Sequence, residues 1–235
     1  MVTPEALERD LTHFARVAHV EGYAMIGGEP MLHPGLTELL RVARKSGVAD
    51  VLEVWTNGQD FSHVGSLPEF WGSVDKLVVS RYAGKLSDER LAWIEAQCRE
   101  YCVELRVVDE RMAPNFSRLL EPSDTSPDET RLKYAQCFFR TYSRVLDDGR
   151  FYKCCTSPFI PQLLLGLSVG HDGILVEGLT ESALRDFLDS DTPLASCVRC
   201  NGRYGRGNPI AWREVDEPEA WIRASAGLED EIAHV

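Results

Sequence analysis

Short apolar segments alternate with helical patterns through the first half of the chain. The strand-like segments are residues 23–26, 51–55, 76–80 and 103–108, and the helical patterns are residues 4–18, 36–45 and 87–102. Alternation of this kind predicts an α/β fold, in which a parallel sheet carries helices on its outer face.

Three of the predicted strands end in segments that carry polar or glycine residues. These segments are Gly27-Gly28-Glu29-Pro30, Thr56-Asn57-Gly58 and Ser80-Arg81. Parallel sheets place their working loops at the carboxyl ends of the strands. The three segments are therefore expected to share one edge of the sheet, where they form a candidate site.

The alternating pattern stops at Met112. Pro, Ser and Asp residues between positions 122 and 128 are typical of a linker, and Asp147-Asp148-Gly149 between two strand-like segments predicts a hairpin. Thr180 is placed to cap a short helix. The expected organisation is one unit at residues 1–112, a linker at 113–136, a second unit at 137–205 and an acidic tail at 206–235.

The charge of the chain argues against nucleic-acid and membrane partners. The 235 residues carry a net charge of -12 and contain no run of five basic residues, so phosphate backbones and anionic lipids should be repelled. No apolar stretch approaches the ~20 residues of a membrane span, and the N-terminus does not resemble a signal peptide. These features predict a cytoplasmic protein, in which cysteines stay reduced and act as metal ligands or buried thiols.

Two of the seven cysteines fall on the predicted helix at residues 87–102. Cys98 and Cys102 share a face with Leu91 and Ile94, which predicts that both are buried core thiols. The other five lie in the second half of the chain and are the candidates for metal ligands: Cys137, Cys154, Cys155, Cys197 and Cys200.

Four of these five cysteines are expected to converge. Cys197 and Cys200 form a C-x2-C pair, and Cys137 and Cys154 are predicted on opposite arms of the hairpin. Neighbouring residues on a strand face opposite ways, so Cys155 is an alternative to Cys154 and not an additional ligand. Four thiolates suit either tetrahedral zinc or an iron–sulfur cluster, and the spacing leaves that choice open.

The segment Gly27-Gly28-Glu29-Pro30 is similar to the GGEP motif of radical S-adenosylmethionine (radical SAM) enzymes, which binds the amino group of S-adenosylmethionine. Leu32-His33-Pro34-Gly35 continues it as in that family, and Trp55-Thr56-Asn57-Gly58 resembles the family's TNG strand end. The resemblance implies that S-adenosylmethionine is held by Gly27, Gly28, Glu29, Pro30, Thr56, Asn57, Ser80 and Arg81. The alternatives are an ordinary glycine-rich turn for the first segment and a surface salt bridge for Arg81.

The second half of the chain resembles the twitch and SPASM extensions of the same family. Cys137 is followed by eleven residues, Gly149, four residues and Cys154, which is the opening pattern of those extensions. No cysteine follows Cys200, so the shorter twitch form is the better match. It implies one auxiliary [4Fe-4S] cluster held by Cys137, Cys154, Cys197 and Cys200.

The C-x3-C-x2-C motif that holds the catalytic cluster of radical SAM enzymes does not occur in the sequence, whose first cysteine is Cys98. The helix at residues 4–18 corresponds to the one that follows this motif in the family. The expected fold is therefore a partial (β/α) barrel lacking its first strand, followed by a small hairpin-plus-helix unit. A start site assigned too far downstream, truncation and a real loss all explain this, and a second [4Fe-4S] cluster is expected only if the missing segment is present.

The resemblance implies an enzyme that abstracts hydrogen from an unknown small-molecule or peptide substrate through a 5'-deoxyadenosyl radical. The auxiliary cluster would then accept an electron, and a ferredoxin or flavodoxin would serve as electron donor. The alternative is a non-enzymatic accessory protein, derived from the same family, that binds an iron–sulfur cluster or zinc.

Overall fold

The computed structural model describes residues 2–62, 64, 68–82, 84–109, 115–117, 120–121, 123–137, 139–201 and 209–211. The chain divides into two units, Met1–Pro114 and Asn115–Val235.

The first unit is built on a parallel sheet of four strands in the order β1-β2-β3-β4. Its strands are β1 Val20–Met25, β2 Ala49–Thr56, β3 Lys76–Arg81 and β4 Glu104–Asp109. Its helices are α1 Pro4–Phe14, α2 Leu36–Ser46, α3 Pro68–Trp71 and α4 Asp88–Glu100, and a 3-10 turn spans Pro30–Leu32. The predicted α/β class and parallel sheet are confirmed, and this sheet is compatible with a partial barrel.

The helices begin where the capping residues place them. Thr3 Oγ1 accepts a hydrogen bond from the Ala6 amide at 3.2 Å, and Pro4 occupies the first turn of α1. The helix ends at Phe14, four residues earlier than predicted, because the chain tightens into a turn in which the Val17 amide donates to the Phe14 carbonyl. The apolar Ala18 extends the helical pattern in the sequence without extending the helix.

One face of the sheet carries the core of the first unit. Val54, Leu77 and Val79 are each 0% exposed and pack with buried residues of α2 and α4, such as Leu40 and Ile94. The opposite face carries charged residues where β3 and β4 begin: Lys76 Nζ lies 3.1 Å from Glu104 Oε1 and 3.8 Å from Glu53 Oε1. The two faces therefore differ in chemistry.

The two cysteines of the predicted helix differ in burial. Cys98 is 2% exposed and belongs to the core, and burial raises its pKa to about 11. Cys102 is exposed and lies beyond the end of α4, with a φ of 57°. The prediction that Cys102 is buried is wrong, because the helix ends two residues before it.

The second unit contains a three-stranded antiparallel sheet in the order β6-β7-β8. The strands of this sheet are β6 Val145–Asp147, β7 Arg150–Tyr152 and β8 Gly173–Leu175. Two further strands, β5 Asn115–Ser117 and β9 Pro209–Ala211, form a separate pair. The helices of the second unit are α5 Pro127–Ala135, α6 Phe139–Tyr142, α7 Ile160–Leu165 and α8 Glu181–Asp189, and a 3-10 turn spans Ala195–Val198.

The predicted hairpin is present and is formed by β6 and β7. Asp148 and Gly149 connect the strands, and both have positive φ values, 44° and 71°. Two-residue hairpin loops favour this geometry, and Asp-Gly is one of the pairs that adopt it. Strand β8 completes the sheet and was not predicted, because three residues are too short to show alternation.

The segment described as a linker at residues 113–136 contains α5. Ser126 Oγ accepts from the Glu129 amide at 3.4 Å, and Pro127 lies in the first turn. Serine and proline are common both in loops and at the first positions of helices. This explains why the sequence predicted a linker where the structure has a helix. Within the predicted tail at 206–235, residues 209–211 form β9, which pairs with β5, and the remainder lies outside the described residues.

Among the helices of the described residues, none has the length and apolar character needed to cross a membrane.

Gly58 offers a test of packing at the end of β2. Its φ is 74°, and an added Cβ would lie 3.1 Å from Val79 and 3.2 Å from Leu86. Gly58→Ala is expected to lower the free energy of unfolding by about 2–4 kcal/mol, because backbone strain and overpacking add. Urea unfolding followed by circular dichroism measures this loss.

Gly47→Ala is the matched control. Gly47 also has a positive φ, 64°, but an added Cβ would meet nothing within 4 Å. This variant should lose only the backbone component, about 1–2 kcal/mol. Equal losses for the two variants would contradict the predicted crowding at Gly58.

Candidate functional site

The carboxyl ends of β1, β2 and β3 lie side by side. Met25 is in register with Val54, and Thr56 is in register with Val79. The three segments predicted to form a site therefore begin at one edge of the sheet. We call them the strand-end site: residues 27–30, 56–57 and 80–81.

A single carboxylate joins two of these strand ends. Glu29 Oε1 accepts hydrogen bonds from Thr56 Oγ1 at 2.6 Å and from the Met31 amide at 3.0 Å. Glu29 Oε2 accepts from the Asn57 amide at 2.8 Å. Hydrogen bonds to an ionised acceptor are the stronger kind, so Glu29 fixes the loop after β1 against the end of β2.

This arrangement gives Glu29 a structural role that sequence reasoning missed. A carboxylate has about four acceptor positions, and the three bonds described above fill most of them. The remaining capacity lies on Oε2, which has one described partner. A role for Glu29 in holding the amino group of a ligand stays a prediction.

Gly27 and Gly28 leave space beside the loop. Both are exposed, and an added Cβ on either would meet nothing within 4 Å. Pro30, by contrast, is buried at the start of the 3-10 turn. The loop is thus anchored at Glu29 and Pro30, while the two preceding glycines expose their backbone groups.

The other predicted members of the strand-end site are less directly joined. Asn57 Oδ1 accepts from the Gln59 amide at 2.9 Å and so turns back toward its own loop. Ser80 is half-buried at the end of β3. The Arg81 guanidinium forms an ion pair with Asp88 at the start of α4, and the arginine side chain is 12% exposed while that of Asp88 is 88% exposed.

The second candidate site is a pocket in the second unit, which we call the cysteine pocket. Four of its lining residues are the cysteines of the predicted ligand set. The lining residues are Lys133, Tyr134, Cys137, Arg140, Cys154, Thr156, Leu194, Ser196, Cys197 and Cys200. Cys155, the alternative ligand, is not among them, and metal binding at this pocket stays a prediction.

The reasons given for this convergence are wrong in two respects. Strand β7 ends at Tyr152, so Cys154 and Cys155 lie in the following turn and strand alternation does not apply to them. Cys137 does not lie on an arm of the hairpin; it follows α5, where its amide donates to the Tyr134 carbonyl at 3.1 Å. Cys137 reaches the pocket from the end of α5 and Cys154 from the bend after β7. Cys197 lies in the 3-10 turn, and Cys200 forms a β-bridge with Leu120.

Side chains from elsewhere in the second unit hold the backbone in and just before the Cys197–Cys200 segment. The buried Asp172 carboxylate accepts from the amides of Ala195 and Ser196, both at 2.8 Å. Lys133 Nζ donates to the Cys200 carbonyl at 2.9 Å. Asp172 was not predicted, because an aspartate beside a glycine is an ordinary turn residue in the sequence.

The thiols of the pocket influence one another. Burial raises the pKa of Cys197 to about 12, with further contributions from Cys200 and Cys154. Burial also raises the pKa of Cys137, and Cys154 adds to the effect. Thiolate binding to a metal therefore has to release protons at this pocket.

Cys154 differs from the other thiols of the pocket. Its pKa is lowered to about 6, first by a hydrogen bond with Cys155, which raises the pKa of Cys155 in turn. The Thr156 hydroxyl, 3.2 Å from Cys154 Sγ, acts in the same direction. Cys154 therefore ionises more readily than Cys137 and Cys197, whose pKa values are raised.

All seven cysteines lie in the described part of the chain, and none is in a disulfide. As the side chains stand, the described residues contain no group of three or more His, Cys, Asp or Glu placed to hold a metal ion. The Ser157 Oγ is buried beside Cys154 without a well-oriented hydrogen bond in this part of the chain, although it contributes to lowering the Cys154 pKa.

No family model and no curated protein matches the chain. Two crystal structures of BtrN are similar to it, each at 14% sequence identity. BtrN in an open conformation aligns over 80% of this chain and 66% of its own, with a TM-score of 0.42. BtrN in complex with AdoMet and 2-DOIA aligns over 80% and 68%, with a TM-score of 0.45. At these scores the likeness carries no argument about function.

The Glu29 contacts predict a measurable effect on stability. Glu29→Gln places an amide group where backbone and hydroxyl donors now meet a carboxylate, so one donor loses its acceptor. We expect the free energy of unfolding to fall by about 1–3 kcal/mol. Amide hydrogen exchange at Met31 and Asn57 should become faster.

Glu21→Gln is the control for this prediction, because Glu21 is exposed on β1. A surface change of this kind should alter stability by less than about 0.5 kcal/mol. Unchanged exchange at Met31 and Asn57 in Glu29→Gln would show that the carboxylate does not join the two strand ends.

Proposed function

We propose that the chain is a radical SAM family protein whose second unit binds an iron–sulfur cluster. The ligands are Cys137, Cys154, Cys197 and Cys200. The observation that supports this most directly is the cysteine pocket, where these four side chains from three separate segments line one space.

The chemistry of the pocket fits a thiolate-bound metal centre. Cysteine thiolates are the ligands of iron–sulfur clusters and of structural zinc. The buried Ser157 hydroxyl beside Cys154 offers a donor to a ligand sulfur, and hydrogen bonds of that kind tune such centres. A bound [4Fe-4S] cluster would supply one-electron transfer.

The strand-end site would hold S-adenosylmethionine. The exposed backbone of Gly27 and Gly28 and the remaining acceptor capacity of Glu29 suit an ammonium group, which only donates hydrogen bonds. In this family S-adenosylmethionine, together with a second [4Fe-4S] cluster, supplies hydrogen abstraction from a substrate C–H bond. The substrate would be a small molecule or a peptide, and a ferredoxin or flavodoxin would deliver electrons.

A second candidate function uses the cysteine pocket alone. The sequence contains no C-x3-C-x2-C motif, whereas the four cysteines of the pocket are all present. A non-enzymatic accessory protein that keeps one iron–sulfur cluster, or zinc, needs no other ligands. This function and the enzymatic one share the same metal-binding residues.

Anaerobic reconstitution with iron and sulfide tests the cluster. We expect about four iron and four sulfide ions per chain. Serine replacement of any one of Cys137, Cys154, Cys197 or Cys200 should reduce both contents and alter the electron paramagnetic resonance spectrum.

Two serine variants serve as controls for the reconstitution. Cys102→Ser, at an exposed position, and Cys155→Ser, outside the pocket lining, should both retain the full cluster content. If Cys155→Ser loses the cluster and Cys154→Ser keeps it, Cys155 is the ligand and Cys154 is not. A colourless protein with one zinc ion and no labile sulfide would refute the cluster.

The two functions separate when S-adenosylmethionine is added to the reduced, reconstituted natural protein, together with any C-x3-C-x2-C segment that it carries. Formation of 5'-deoxyadenosine, measured by chromatography, is expected for the enzyme. Reversible reduction of the cluster without any 5'-deoxyadenosine supports the accessory protein.

A further inference from the structure

A buried lysine contacts Tyr134, which lines the cysteine pocket. Lys153, which precedes Cys154 in the chain, is 2% exposed. Its Nζ donates to the Ser190 carbonyl at 2.8 Å and to Tyr134 Oη at 3.1 Å. Both partners are neutral, and within the described residues no carboxylate forms an ion pair with this ammonium group.

The surroundings of Lys153 add positive charge. The Arg140 guanidinium lies 4.8 Å from the centre of the Tyr134 ring and lines the cysteine pocket. Arg144 Nη1 donates to the Lys153 carbonyl at 3.0 Å. Arg140 also pairs with Asp191 at 3.2 Å, but that carboxylate is 88% exposed, where water weakens the attraction. Cations thus gather here in a chain whose net charge is -12.

Burial of an ammonium group costs free energy unless an opposite charge is close. The aromatic rings of Phe187 and Tyr134, at 5.1 and 5.9 Å from Nζ, offset part of this cost through their quadrupoles. A centre bound by four thiolates is an anion, because the thiolates outweigh the charge of the core. The carboxylates of Asp191 and Asp189 attract this ammonium group and oppose the lowering of its pKa by burial, but within the described residues neither pairs with it. A thiolate-bound centre in the pocket would supply a further counter-charge.

We propose that Lys153, together with Arg140, is the electrostatic counterpart of the metal centre and raises its reduction potential. This inference rests on the proposed cluster. Reduction adds one electron to the centre, and a nearby fixed positive charge stabilises the more negative product. Tyr134 and the Ser190 carbonyl hold the ammonium group in place. Lys153 thus acts on the centre through its charge and does not bind the metal.

A structural role for Lys153 makes a different prediction. Lys153→Met keeps a side chain of similar length and removes the charge. Tyr134 Oη retains its own hydrogen bond to the Ser190 carbonyl at 3.0 Å, so the packing around the site should survive. If Lys153 only fixes the positions of Tyr134 and Ser190 through its hydrogen bonds, the reduction potential of the centre should be unchanged in Lys153→Met.

The test is a redox titration of the reconstituted protein with dithionite as reductant, followed by electron paramagnetic resonance. We expect Lys153→Met to lower the equilibrium constant for one-electron reduction at least tenfold, which is 59 mV in midpoint potential. Arg131→Met is the control, because Arg131 is a surface residue of α5 whose side chain is 65% exposed. Its midpoint potential should equal that of the unaltered protein.

A second variant keeps the test decisive if Lys153→Met fails to hold a cluster. Arg140→Met removes the other charge of the proposed pair, and its midpoint potential should also fall. An unchanged potential in Lys153→Met, or in Arg140→Met where that variant is needed, overturns the inference.

The same experiment separates this inference from the proposed function. Unaltered protein that takes up no iron and sulfide refutes the cluster itself. Unaltered protein that holds a cluster with a potential insensitive to Lys153 refutes only the electrostatic role.

Discussion

The carboxylate of Glu29 organises the edge of the parallel sheet. Strands that end side by side leave amide and hydroxyl donors without partners, and these donors cost free energy when they are buried. Glu29 accepts from the Met31 and Asn57 amides and from the Thr56 hydroxyl. The loop after β1 and the end of β2 therefore have one defined arrangement, and the exposed glycines at 27 and 28 owe their position to it.

Much of the first unit could be predicted from the sequence because its signals are local. Capping by Thr3 sets the start of α1, and the Asp148-Gly149 pair sets the hairpin of the second unit. The predicted element boundaries were wrong where one residue type is common in two structures. Ser126 and Pro127 predicted a linker, but in the structure they begin α5. The end of β7 at Tyr152 could not be predicted either, so Cys154 and Cys155 lie beyond the strand on which they were expected.

The candidate sites show the same division. The four cysteines of the pocket were predicted by their type and spacing, since few other residues bind soft metals. Asp172 and Lys153 were not, because their roles come from partners far away in the chain, at Ala195 and Ser190. A lone aspartate or lysine has no sequence signal of burial. The contacts that position the candidate ligands are thus less predictable than the candidate ligands themselves.

The four cysteines of the pocket lie outside the hydrogen-bonded ladder of β6, β7 and β8. A side chain outside the paired strands can change its rotamer without breaking a pair of strands. Under the proposed function, loss and replacement of the cluster would therefore leave the pairing of β6, β7 and β8 intact.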